Sequence, residues 1–315
     1  MLSYRHGFHA GNAADVLKHT VLIFCLDYLL QKEKPVLCID THAGAGLYPL
    51  DTGFAAKNCE WEKGIGQFCG LTPDGAAERC GRAAGAISQP RLRQAPPGMI
   101  RRYLEIAGIH GVSPAMTPYP GSPEIIRRLL RPGDRACFFE LHPADFGLLA
   151  ELMRSDGRIK VTREDGLAGL KALLPPPSRR GLVFIDPSYE VKDDYIRVPE
   201  TLAGALRRFP GGIYITWYPL LRESPLPRGA AFIRSSAEEF PEKLMGLYGG
   251  NRCRLELYAA GLRQAENSPR GMYGNGLVIY NPPWTLKAAL KESLAFLSCL
   301  PGSETEKQIL DWIGA

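Results

Sequence analysis

Residues Gly181 to Glu190, GLVFIDPSYE, place a carboxylate, a rigid turn and an aromatic ring directly after an unbroken apolar run, Leu182 to Ile185. Such a run predicts a buried strand, and its C-terminal end is where open α/β sheets carry their active sites. The chemistry this group suits is methylation of an exocyclic base amine. The lone pair of that amine is delocalised into the ring and attacks poorly until acceptors hold its two N–H bonds. The Asp186 side chain and the Pro187 carbonyl can be those acceptors, and Tyr189 can stack on a base taken out of its helix.

Three further acids stand at the ends of predicted strands. Val36 to Ile39 runs into Asp40-Thr41-His42-Ala43-Gly44-Ala45-Gly46, and glycines there let the backbone approach an adenosyl ligand closely. The third glycine of the dinucleotide pattern is missing, which counts against a nicotinamide or flavin enzyme. Ala136 to Leu141 carries Glu140 near its tip, where one carboxylate can meet the two hydroxyls of a ribose. Ile159 to Thr162 ends at Glu164-Asp165-Gly166, and Asp165 can accept the amino group of an adenine. Singly, these acids read as caps or turn residues. As a series after Asp40 they read as a cofactor pocket.

The elements that must position these residues follow from periodicity. SYRHGFHAGN, residues 3 to 12, is polar and aromatic, as a contact surface would be. The apolar positions from Val16 to Leu29 predict a helix with Lys18 and His19 near its start. Four of the six histidines, His6, His9, His19 and His42, fall in the first fifty residues. Residues 51–118 shift to Gly, Ala, Arg and Pro and are expected to form a small helical insertion, with helices near Ala76 to Ile87 and Gly98 to Ile109, dividing a main domain of 1–50 and 119–315. In YPGSPEIIRRLLR, Ser122 is expected as a helix N-cap with Pro123 following. Pro210 to Pro219 predicts a fifth strand, and Arg252 to Ala260 with Gly276 to Asn281 an antiparallel pair. A helix from Leu286 to Leu300 and a short tail close the chain.

Asn281-Pro282-Pro283-Trp284 fits an amide-Pro-Pro-aromatic methylation pattern better than Asp186-Pro187-Ser188-Tyr189 does. Geometry argues against it. If the strand before Asn281 is antiparallel, that corner lies on the wrong rim of the sheet, and it reads as a strand-to-helix turn with Trp284 packed.

The bulk properties set bounds. With 315 residues, 45% hydrophobic and 23% charged, the chain can bury a sizeable core; a net charge of +5 is a mild bias toward anionic partners. Its eight cysteines show no zinc spacing, so reduced thiols and no metal are expected. No apolar run reaches membrane-spanning length, and a cytoplasmic protein is the simplest expectation.

Taken together, YRHGFHAGNAADVLKH, DTHAGAG, YPGSP, ELHP, the Asp165-Gly166 pair, RRGLVFIDPSYE, WYP and the late RGM with NPPW resemble the bacterial RlmJ (YhiR-like) family of 23S rRNA adenine N6-methyltransferases. The resemblance implies a class I, Rossmann-like α/β fold, with a seven-stranded, mostly parallel sheet whose last strand is antiparallel. It implies S-adenosyl-L-methionine as methyl donor, with contacts at His19, His42, Ser122, Glu140, Asp165, Gly166 and Asp186. Asp186 is then the catalytic acid, Tyr4 faces the substrate and Lys18 lies near the target base. The substrate implied is 23S rRNA, at adenine 2030, naked or partly assembled, met by a monomer. Ser188 departs from the family pattern, which has a second proline there. Two rivals are a non-catalytic RNA-binding or ribosome assembly factor on the same fold and a DNA adenine N6-methyltransferase.

Overall fold

The long apolar runs become strands because they can be covered on both faces, and the innermost of them is β1, Leu37–Asp40. It pairs in parallel with β4, Arg135–Phe139, on one side and β6, Gly181–Ile185, on the other. β5, Ile159–Thr162, extends the parallel set beyond β4, and β7, Ile213–Leu221, extends it beyond β6. In this computed structural model the described residues are 5–68, 95–109, 118–221, 239–247, 250–259, 272–298 and 305–314.

Past β7 the direction changes. β9, Met272–Tyr280, is antiparallel to β7 and to β8, Arg252–Ala259, so the expected antiparallel pair is present. The strand count is corrected. The stretch expected to be a short tail is β10, Thr305–Ile313, which pairs antiparallel with β8 and makes the sheet eight-stranded, in the order β10-β8-β9-β7-β6-β1-β4-β5. Its mixture of Lys307, Gln308 and Asp311 with Ile309, Leu310 and Trp312 has too weak an alternation to announce a strand; the open edge of β8 supplies the partner.

Helix α1, Ala13–Leu30, is capped by Asn12, whose side chain accepts from the Asp15 amide, and it packs beside β6. Helices α4, Ser122–Leu129, α5, Pro143–Met153, α6, Gly166–Leu173, and α7, Asp194–Arg208, follow their strands in the alternation expected of this class. A two-stranded clamp joins β2, Leu47–Tyr48, to β3, Tyr119–Pro120, so the chain leaves and returns at adjacent points.

Between the clamp strands lie α2, Ala55–Asn58, two short 3₁₀ turns and α3, Gly98–Ala107. The helix expected from Gly98 is thus present, while Ala76 to Ile87 lies outside the described residues. α3 packs on α1, and its Met99, Ile100, Tyr103 and Leu104 enter the common core.

Candidate active site

The carboxyl ends of β1, β4, β5 and β6 open into one cavity of about 280 Å³, close to the lower end of the ~300–1,000 Å³ common for small-molecule sites. His19, His42, Ser122, Glu140, Asp165, Gly166 and Asp186 all contribute to its wall, as does Pro187. Every described residue expected to contact a methyl donor is therefore on one rim. Tyr4 lies outside the described residues.

Glu140, Asp40 and Asp165 each accept from backbone amides. Glu140 accepts from the Gly44 amide at 2.8 Å and from the His142 amide at 2.6 Å, which ties the glycine loop after β1 to the tip of β4. Gly44 has φ +66°, and a Cβ there would meet the Tyr48 hydroxyl at 2.2 Å, so both conformation and space demand glycine. Burial pushes the Glu140 carboxyl up, against the two amides that favour its charge. Asp40 is fully buried just behind the wall, and burial raises its pKa to about 7 despite bonds from Ser122 and the His42 amide.

Ser122 is where one expectation needs correction. The N-cap of α4 is Gly121, and Ser122 is the first helical residue, followed by Pro123. Its hydroxyl donates to Asp40 Oδ2 at 2.6 Å instead of capping the helix. Asp165 is itself an N-cap, for α6: Oδ1 accepts from the Leu167 and Ala168 amides, while Arg197 of α7 binds Oδ2. Burial alone would raise the Asp165 pKa, but Arg197 and these amides hold it below the usual carboxylate range.

Asp186 meets the N-terminal part of α1. Lys18 Nζ donates to Asp186 Oδ2 at 2.7 Å and lies 3.0 Å from Asp15 Oδ1. Asp15 Oδ2 in turn accepts from the Gly11 amide at 2.9 Å and lies 2.9 Å from His6 Nε2. Lys18 is 4% exposed, and burial favours its neutral form; the two carboxylates outweigh that, and its pKa is raised. The ammonium also sits 4.9 Å from the Trp217 ring centroid.

Burial lowers the pKa of His19 to about 3 and that of His42 to about 4, so both rings are neutral at pH 7. His19 Nδ1 is 2.7 Å from the Tyr119 hydroxyl, itself 3.1 Å from that of Tyr103.

Tyr189 is not the open platform expected of it. It is 6% exposed, its hydroxyl donates to the Trp217 carbonyl at 2.7 Å, and its ring packs on Tyr195, Trp217 and Phe240. Its φ of +55° is unusual for a bulky residue, and the buried anchor is what holds the Pro-Ser-Tyr corner in that conformation. Sequence reasoning also missed Asp15, Asp194 and Arg197. Asp15 and Lys18 stand three apart on one helix, a signal that was available; Asp194 and Arg197 reach the cavity from a helix with no motif of its own. Burial raises the pKa of Asp194 to about 6.

The rival corner sits elsewhere. Tyr280 is registered with Tyr214 near the start of β7, so Asn281 lies on the opposite rim, where its amide donates to the Pro210 and Gly212 carbonyls. The strand-to-helix turn is as expected, with helix Leu286–Ser298 following, but Trp284 is 80% exposed and not packed. Among the described residues no cluster of His, Cys, Asp or Glu could hold a metal, and no helix is long and apolar enough to cross a membrane.

Parallel strands in the order β5-β4-β1-β6-β7, completed by antiparallel β9 and edged at one rim by carboxylates, define a class I, Rossmann-like methyltransferase. The family model for ribosomal RNA large subunit methyltransferase D, RlmJ, matches residues 71–314. Ribosomal RNA large subunit methyltransferase J of Escherichia coli is 37% identical over 314 residues, 99% of each chain, and its Haemophilus influenzae counterpart 35% identical over 315 residues, again 99% of each. Protein LPL1258 of Legionella pneumophila, a crystal structure, is 30% identical with a TM-score of 0.74 over 98% of each chain. The chain belongs to the RlmJ family of ribosomal RNA large subunit methyltransferases.

Proposed function

We propose that this protein transfers a methyl group from S-adenosyl-L-methionine to the exocyclic N6 of an adenine in 23S rRNA, at adenine 2030 by family resemblance. It acts as a cytoplasmic monomer on naked or partly assembled rRNA. The observation that carries this reading is that Asp186 and Pro187 share one cavity with Glu140, Asp165 and His42, while Asn281 stands on the far rim.

The cavity suits the donor on its own chemistry. Glu140 is fixed by two amides with acceptor capacity left for a ribose diol, and the glycine loop beside it admits close approach. Asp165 and the Gly166 backbone would serve the adenine, and His19 and Ser122 line the same cavity. S-adenosyl-L-methionine, when bound, supplies an electrophilic methyl group. The Asp186 carboxylate and the Pro187 carbonyl accept the two amine hydrogens and turn the nitrogen lone pair toward that methyl. Lys18, braced by Asp15, aims the Asp186 carboxylate. Rate enhancement then comes from positioning and a dry electrostatic site more than from a strong base. Asp186 passes the proton lost from the amine to water. Tyr189, buried and anchored to the Trp217 carbonyl, supports the corner. By family resemblance Tyr4 faces the substrate and Lys18 lies near the target base, and α2 and α3 belong to the helical insertion.

The test is Asp186→Ala with labelled donor and protein-free 23S rRNA. Methyl transfer should fall at least a thousandfold while donor affinity stays within about threefold; retained turnover overturns the assignment. RNA and DNA oligomers of the same sequence, offered side by side, decide the substrate class.

A further inference from the structure

A basic and aromatic ledge, built from two stretches far apart in sequence, is tied to the cavity wall through Arg5. Phe8, from the segment before α1, packs on Phe54, just before α2, with ring centroids 4.6 Å apart and planes tilted by 54°. Both rings are half-buried and Lys57 beside them is exposed. Lys57 Nζ lies 5.6 Å from the Phe54 centroid and 5.9 Å from that of Phe8. Among the described residues its contacts are these rings and not a carboxylate. Arg5 joins the ledge to the cavity: its guanidinium lies 4.4 Å from the Phe54 centroid, and Nη2 donates to Asp145, a wall residue, at 2.5 Å. His6, the next residue, is part of the wall as well.

Charge explains why such a ledge is needed. The wall carries six carboxylates, Glu140, Asp145, Glu164, Asp165, Asp186 and Asp194, against the single guanidinium of Arg197, and that excess would repel a phosphate. A nucleic acid whose base enters that cavity therefore needs its backbone held outside it. Aromatic faces interleaved with a cation are the surface that single-stranded nucleotides bind. We propose that this ledge grips the RNA nucleotide next to the target adenine, its base stacked on the Phe8 and Phe54 pair and its phosphate neutralised by Lys57. The assignment rests on the RNA methyl transfer proposed above.

Two variants test it, Lys57→Ala and Phe8→Leu, with protein-free 23S rRNA as the probe. Both should raise the RNA KM and Kd about five- to twentyfold, leaving kcat at saturating RNA and the donor Kd unchanged. Lys57→Ala alone should also make the dependence of log affinity on log salt shallower by roughly 0.7. Wild-type RNA affinity and salt slope in both variants overturn the ledge. Should Phe8→Leu lose donor binding as well, its N-terminal segment has misfolded, and the surface variant Lys57→Ala decides alone. If the wild-type protein methylates nothing yet binds RNA with a Lys57-dependent slope, the methyl transfer is overturned and only RNA binding at the ledge stands.

Discussion

His19 lines the cavity at the sheet rim as a neutral imidazole, held there by burial. Its folded pKa of about 3 lies below the ordinary 6.5, so the unfolded chain takes up a proton that the folded chain refuses. The linked stability is complete above pH 6.5 and is lost as pH falls from there toward 3. Denaturant unfolding between pH 7.5 and 5 should show wild type losing more stability than His19→Gln; parallel curves would contradict the assignment. Asp40, raised to about 7, acts in the opposite direction over part of this window, which is why the difference between the two proteins is the quantity to follow. Tyr189→Phe removes one buried hydroxyl bond and should cost about 1–2 kcal/mol on thermal unfolding while methyl transfer stays within severalfold. A hundredfold loss of turnover at unchanged stability would instead give that hydroxyl a chemical role.

The glycine loop after β1 and the start of α6 meet almost atom on atom. A Cβ on Gly166 would lie 2.2 Å from the Thr41 carbonyl oxygen and 2.6 Å from its Cα, and backbone cannot yield as a side chain does. Gly166→Ala should therefore destabilise the fold by ~1–3 kcal/mol and weaken donor binding tenfold or more, measured by thermal unfolding and by donor titration. A variant with full donor affinity would mean that this contact does not shape the site. Between elements, the link from Lys18 of α1 to Asp186 after β6 has the same character. Neither end carries a signal for the other, because the ion pair joins residues 168 positions apart.

Across the whole molecule, the two motif-like corners are separated by strand direction. Asn281→Ala removes two bonds to backbone carbonyls and places alanine at a φ of +51°, so it should lower stability by ~1–3 kcal/mol. Methyl transfer at saturating substrates should stay within about twofold, in contrast to Asp186→Ala; a comparable loss would put the chemistry on the wrong rim. The parallel core and the acid-lined rim of the sheet could be read from the residues alone, because buried strands advertise themselves as apolar runs and the acids stand at fixed offsets after them. Asp40, Glu140, Asp165 and Asp186 were all legible in that way. Only the tertiary structure decided that Ser122 serves Asp40 and not its own helix, that Tyr189 is covered while Trp284 is bare, and that β10 closes the sheet. Each of those outcomes depends on which distant surface arrives beside the residue, and local periodicity holds no record of that neighbour.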